Sequence, residues 1–259
     1  MVLDVPDHEE SPADRDHLTR IPPGAEPPSA ILFDFHGTLM QVEDSVSWVV
    51  AAAAACGTEL DRMRATVLAD RLVTAGRAGG PLPHRVPPHL AEVWAERDLS
   101  GYAHREAYTG LARTVDPGVD ELADDFYDAL YDRVLVPEGW LAYSDTVDTL
   151  RALHGAGVPV AVVSNIGFDI RPIVTAHGFG DLLDAYVLSY EVGRCKPDRA
   201  IFEYACAALG VPPEKALMVG DTAADAAAIR AGCRAYVVPT GEAGAANGLG
   251  AVLSLTGLA

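Results

Sequence analysis

The residues of this 259-residue chain best suited to chemistry stand at or just beyond the ends of short apolar runs. Asp34 follows Ile31-Leu32-Phe33, with His36 two positions further on. Ser164 and Asn165 finish the run VPVAVVSN, and Asp221 follows ALMVG with Asp225 shortly after it. Lys196 sits apart, in GRCKPD. Carboxylates offer a nucleophile or hard oxygen ligands for a divalent cation, hydroxyl and amide groups offer hydrogen bonds, and lysine offers positive charge. Each residue alone also suits a turn or a helix cap, the commoner fate of Asp and Ser at such places. Three polar strand ends and a lysine together exceed what local roles account for. The lysine carries extra weight because Lys196 and Lys215 are the chain's two lysines, against 17 arginines.

The elements that must position these residues follow from hydrophobic pattern. The run 31–35 reads as a buried parallel strand that opens into a turn at Gly37. From about 43 to 136 no strand pattern is visible, and helical stretches dominate: 45–56, 59–75, 89–97, 102–115 and 120–134. A Gly- and Pro-rich loop at 76–89 forbids helix continuation there. From Pro137 onward short apolar strands (158–165, 185–190, 216–220, 235–238) alternate with helices (145–154, 169–177, 198–209, 223–231). That rhythm predicts an α/β fold, a doubly wound parallel sheet covered on both faces, with the helical block inserted after its first strand. The predicted division is a Pro-rich acidic arm at 1–28, a core of 29–42 and 137–259, and a helical insertion of 43–136. In such sheets ligands bind beyond the carboxyl ends of the strands, where the polar residues stand.

Composition narrows the partners. A formal net charge of −18 disfavours nucleic acid and anionic membranes, whose phosphates would be repelled. An anionic substrate then requires local positive charge, from a metal ion or a buried lysine. No apolar run approaches the roughly 20 residues of a membrane span, and the N-terminal residues lack the pattern of a secretory signal. A cytoplasmic location is expected. Cys56, Cys195, Cys206 and Cys233 form no CxxC or zinc spacing and read as reduced, buried small residues.

Four segments together resemble the haloacid dehalogenase superfamily. DFHGTL (34–39) is similar to its first motif, Asp-x-Asp-Gly-Thr. VVSN (162–165) resembles the second, GRCKPD (193–198) the third, and VGDTAAD (219–225) the fourth. Their order agrees, the long gap after the first motif is where helical caps are inserted, and the likeness spans about Ala30 to Thr240. The likeness is to the helical-cap branch, resembling phosphoglycolate phosphatase-like enzymes.

The resemblance implies a Rossmann-like core and Mg²⁺-dependent hydrolysis of a small phosphorylated metabolite. Asp34 would be the nucleophile, giving an aspartyl phosphate. Mg²⁺ would be held by Asp34, Asp221, Asp225 and the main-chain carbonyl of His36. Ser164 and Asn165 would bind phosphoryl oxygens, and Lys196 would neutralise both nucleophile and phosphate. His36 is the departure, because the family's phosphatases carry there an Asp that acts as general acid and base. Three readings stay open. His36 takes over the proton transfers, for which its near-neutral pKa is suited; the chemistry is altered towards phosphotransfer, carbon–halogen or carbon–phosphorus cleavage; or the protein binds phosphate without turnover. In the insertion, His84, Arg85, His89, Trp94 and Tyr102 are candidates for substrate contact, with hinges at 40–44 and 134–139. Monomer and homodimer both fit the sequence.

Overall fold

A computed structural model describes residues 26–118, 122, 125–239 and 241–258. Most of the expected N-terminal arm and the start of the stretch 120–134 lie outside them. Seven strands are present among the described residues: β1 (Ala30–Phe33), β2 (Met40–Val42), β3 (Trp140–Ala142), β4 (Val160–Ser164), β5 (Ala185–Leu188), β6 (Ala216–Gly220) and β7 (Arg234–Val237). Five form one parallel sheet in the order β5-β4-β1-β6-β7, with Phe33 opposite Val162 on one side and Val219 on the other. β1, β4 and β6 are buried along their whole length, which explains their nearly unbroken apolar sequences.

The chain divides into two compact units. One holds Val42–Leu141 together with Gly167–Ile173; the other holds the described residues up to Gln41, Ala142–Ile166, and those from Val174 onward. The helical unit therefore runs past both boundaries expected at 43 and 136. It also takes up a segment that the sequence pattern assigned to a core helix at 169–177. β2 and β3 pair as a two-stranded ribbon, within which the chain leaves one unit and later returns. Runs of three residues are too short to show the alternation by which a strand is recognised in sequence.

In the sheet unit the helix Arg199–Ala208 starts at Asp198, whose side chain accepts from the Ala200 amide. It turns Ile201, Phe202, Ala205 and Cys206 inward, onto Leu32, Val163 and Met218 of the sheet. Cys206 and Cys233 are buried there as free thiols, 3.7 Å apart, whereas Cys56 and Cys195 are only half-buried, contrary to expectation. The helix expected at 223–231 is one α-helical turn, Ala223–Ala226, that tightens into a 3₁₀ stretch, Ala227–Ala231.

In the helical unit, Ser45–Ala55 is capped by Asp44 and Arg62–Ala75 by Asp61. Their inward faces, with Trp48, Leu68, Leu72, Phe126 and Leu130, build its own core. Arg62–Ala75 stops at Gly76, whose φ of +127° is open to glycine and strained for other residues. His84, Arg85, His89 and Tyr102 are exposed and Trp94 is half-buried. Among the described residues, no helix is long and apolar enough to cross a membrane.

Candidate active site

Strand order makes β1 the centre of the sheet. The connections run from it to β4 and β5 on one side, then to β6 and β7 on the other. Such a reversal opens a crevice at the carboxyl ends of the central strands. Asp34 is the first residue beyond β1, and Asp221 the first beyond β6. Asp34, Asp221 and Asp225 each offer a carboxylate oxygen to one cluster, all within 4.8 Å of one another.

Lys196 knits the cluster together. Its Nζ donates to Asp34 Oδ1 at 2.6 Å, to Asp225 Oδ1 at 2.6 Å and to the Val163 carbonyl at 2.9 Å, using all three ammonium protons. Lys196, Asp34 and Asp225 are all buried. Burial alone would lower the lysine's pKa, but Asp225 and Asp34 hold it above its usual range. Burial, with Asp225 and Asp221 nearby, pushes the Asp34 carboxyl up to about 8 despite the lysine. Three carboxyl groups against one ammonium leave the cluster with more negative charge than the lysine offsets, which is part of why the Asp34 carboxyl is raised. Lys196 takes Oδ1 of Asp34, which leaves Oδ2 as the oxygen open to reaction.

Neighbouring residues fix these groups. Asn165 does not serve as an open hydrogen-bonding group at the crevice. Its Oδ1 accepts from the Lys196 amide at 2.7 Å, and its Nδ2 donates to the Lys196 carbonyl at 2.9 Å. The side chain thus clamps the lysine's backbone, next to the cis peptide between Lys196 and Pro197. Asp225 Oδ2 accepts from the Thr222 amide (3.0 Å) and hydroxyl (2.6 Å), a capping box that orients the carboxylate. Ser164 is buried at the end of β4.

The turn after Asp34 is tight. Leu39 and Met40 both donate to the Phe35 carbonyl at 3.0 Å, and Gly37 donates to Met40 at 2.8 Å. Gly37 has φ +82°, and a Cβ there would fall 2.2 Å from Asp221 Oδ2. Glycine is therefore required both by backbone conformation and by the carboxylate packed against it. His36 is half-buried, its Nε2 hydrogen-bonded to Gln41 Oε1. Its ring is not part of the carboxylate cluster.

Sequence reasoning missed Asn247. Its side chain is buried and donates to the carbonyls of Gly37 (2.8 Å) and Thr38 (3.0 Å), while Oδ1 accepts from the Gly241 amide at 3.1 Å. Asp145 holds this segment in turn, accepting from the amides of Asn247 and Leu249. The turn after Asp34 is thus pinned from the far end of the chain. An Asn in a Gly- and Ala-rich tail carries no sequence signal for that task.

The sequence profile of the haloacid dehalogenase-like hydrolases matches residues 28–232. The chain belongs to this family. All the clustered residues lie inside the match, and Asn247 lies beyond it. Among curated proteins, phosphoglycolate phosphatase of Colwellia psychrerythraea is 28% identical over 202 residues, covering 78% of this chain and 79% of that protein. An (S)-2-haloacid dehalogenase of Pseudomonas fluorescens is 36% identical over 87 residues, 33% of this chain and 38% of that one. The chain spans about half or less of the length of the first curated relatives it matches. Among solved structures, a haloacid dehalogenase family hydrolase of Deinococcus radiodurans, with bound phosphate and sodium, is similar at a TM-score of 0.52. It is 25% identical, and the likeness covers 89% of each chain. This member of the haloacid dehalogenase-like hydrolase family has an α/β fold, with both phosphatases and dehalogenases among its relatives.

Proposed function

We propose that the protein is a Mg²⁺-dependent hydrolase of a small phosphorylated metabolite, with Asp34 as nucleophile. The carrying observation is the cluster of three carboxylates knit by Lys196. Hard oxygen donors gathered this closely fit magnesium, and a dication would offset the excess negative charge of the cluster. Gly37 adds to the fit, since any side chain there would fill the space beside Asp221. Asp34, Asp221 and Asp225 would hold the ion, with the main-chain carbonyl of His36 as a further oxygen. Bound there, magnesium would supply Lewis-acid stabilisation of phosphoryl charge.

The chain's own residues account for the remaining steps. Asp34 Oδ2 attacks phosphorus, and the leaving oxygen takes a proton as the bond to it breaks. Lys196, held by Asn165, lessens the repulsion between carboxylate and phosphate. Ser164 and nearby amides bind phosphoryl oxygens. Water then attacks the aspartyl phosphate, giving inorganic phosphate and restoring Asp34. His36 is assigned both proton transfers, first as acid and then as base. To do so through Nε2 it must release Gln41.

The phosphoglycolate phosphatase relative and the phosphate-bound Deinococcus hydrolase support the phosphate reading. The dehalogenase relatives and the histidine at position 36 favour a second one, displacement of halide from a 2-haloacid by Asp34. The experiment measures phosphate release from a panel of phosphomonoesters with Mg²⁺ or EDTA, and halide release from 2-chloropropionate in parallel. Magnesium-dependent phosphate release that Asp34→Asn abolishes is expected. Halide release without phosphate release would overturn the proposal in favour of the second reading; neither would leave a binding protein.

A further inference from the structure

Two of the four cysteines meet inside the sheet unit. Cys206 is on the inward face of the helix Arg199–Ala208, and Cys233 follows Gly232 at the entry to β7. Their Sγ atoms are 3.7 Å apart, although the residues stand 27 positions apart in the chain. Both are free thiols in the apolar cluster that includes Leu32, Val163 and Met218. Cys206 is 1% exposed and Cys233 5%, but Ala207, Arg230 and Gly232 beside them are exposed. The pair thus lies just beneath the surface. Local opening of the exposed turn at Gly232 admits a reagent of nearly the size of water and keeps out bulky ones.

The contact makes the two sulfurs unequal. A hydrogen bond from Cys233 lowers the Cys206 pKa, while the same bond, with burial, raises that of Cys233. Cys206 is therefore the first to lose its proton, and the thiolate is the reactive form. The pair also has a telling place in the fold. The helix that carries Cys206 starts directly after Lys196-Pro197-Asp198. The turn Ala223–Ala226 holds Asp225, and the 3₁₀ stretch Ala227–Ala231 leads from it to Cys233. The thiols thus join the far ends of two elements whose near ends carry Lys196 and Asp225.

We propose that Cys206 and Cys233 are a modification site, a thiol pair that hydrogen peroxide converts to a disulfide in the folded protein. The Cys206 thiolate attacks one peroxide oxygen. An S–O bond forms, the O–O bond breaks, and the leaving hydroxide takes up a proton as water. The Cys233 sulfur then attacks the Cys206 sulfur. The S–S bond forms, the S–O bond breaks, and the departing hydroxide carries off the Cys233 proton as a second water. The thiols lose two electrons and the peroxide gains them. Closure from the 3.7 Å contact to a bond of about 2.0 Å draws the sulfurs together by about 1.7 Å. The bridge encloses β6, Asp221 and Asp225 in one loop and staples the sheet unit, whichever reaction Asp34 performs.

The test treats the folded full-length protein with hydrogen peroxide and maps its peptides by mass spectrometry, with and without dithiothreitol. A reducible link between the peptides of Cys206 and Cys233 is expected. Oxygen added to either sulfur without a link, a link to Cys56 or Cys195 instead, or linkage only in urea would overturn the proposal. The linked protein should melt higher by roughly 5–10 °C, because the bridge constrains the unfolded chain. Cys233→Ala should lose this peroxide response, and Cys206→Ala serves equally should the first variant fail to fold. A bridge that leaves Tm unchanged, or a rise that persists in either variant, would refute the staple.

Discussion

Replacing Lys196 by Met tests whether the carboxylate cluster is held together as described. The variant keeps a side chain of similar length but removes an ammonium that donates to Asp34, Asp225 and the Val163 carbonyl. Three carboxylate oxygens then remain within 4.8 Å of one another with no cation among them. Removing one partner of a buried ion pair costs about 3–5 kcal/mol, because the other charge is stranded. Proton uptake limits the loss here. The Asp34 carboxyl already sits at about 8, and it becomes protonated without the lysine. A destabilisation of about 3 kcal/mol at pH 8 in EDTA is the expected outcome, read from urea unfolding with an unchanged m-value. Asp225→Asn in the same background should restore part of it, since one of the stranded charges is then gone. A double-mutant cycle should give a coupling of about 2 kcal/mol between the two positions. A loss below about 1 kcal/mol, with the two substitutions additive, would refute the claim that Lys196 is the counter-charge of this cluster.

Other substitutions probe separate parts of the argument. His36→Asp should maintain or raise magnesium-dependent phosphate release, and a large loss would give the histidine a task that aspartate cannot perform. Asn247→Ala removes three hydrogen bonds at a buried side chain and leaves two carbonyls of the turn after Asp34 unmet, so urea unfolding should show a loss of about 2–3 kcal/mol. Unchanged stability would show that the tail does not hold the turn. Burial, with Arg97 nearby, pulls the His104 imidazole down to about 3, so the folded state resists a proton that the unfolded chain accepts near 6.5. That contribution to stability is present above about 6.5 and is lost as pH falls towards 3, amounting to about 2 kcal/mol by pH 5. His104→Gln should flatten this acid limb between pH 7 and 5, and an unaltered pH profile would rule out His104 as its source.

The sheet and the acidic strand ends were legible in sequence for one physical reason: a strand buried on both faces must be apolar throughout, so the first polar residue marks its end. Asp34 and Asp221 announce themselves in that way, and Lys196 does so by the rarity of lysine. What the sequence hid is position set by distant partners. Asn165 reads as a phosphate ligand because it ends a strand, yet its amide is spent on the backbone of Lys196. Asn247 gains meaning only from groups far away in the chain, and that does not follow from local pattern. β2 and β3 escaped notice because three residues cannot display a period.

The burial of Lys196 has a practical consequence for labelling. With its ammonium enclosed and its pKa raised, it is shielded from amine-reactive reagents, while Lys215, the other lysine, is exposed. Acylation of native protein should therefore fall on the Lys215 side chain and spare Lys196. Slow modification of Lys196 then becomes a clock for opening of the carboxylate cluster, readable by mass spectrometry in the native chain without an introduced probe.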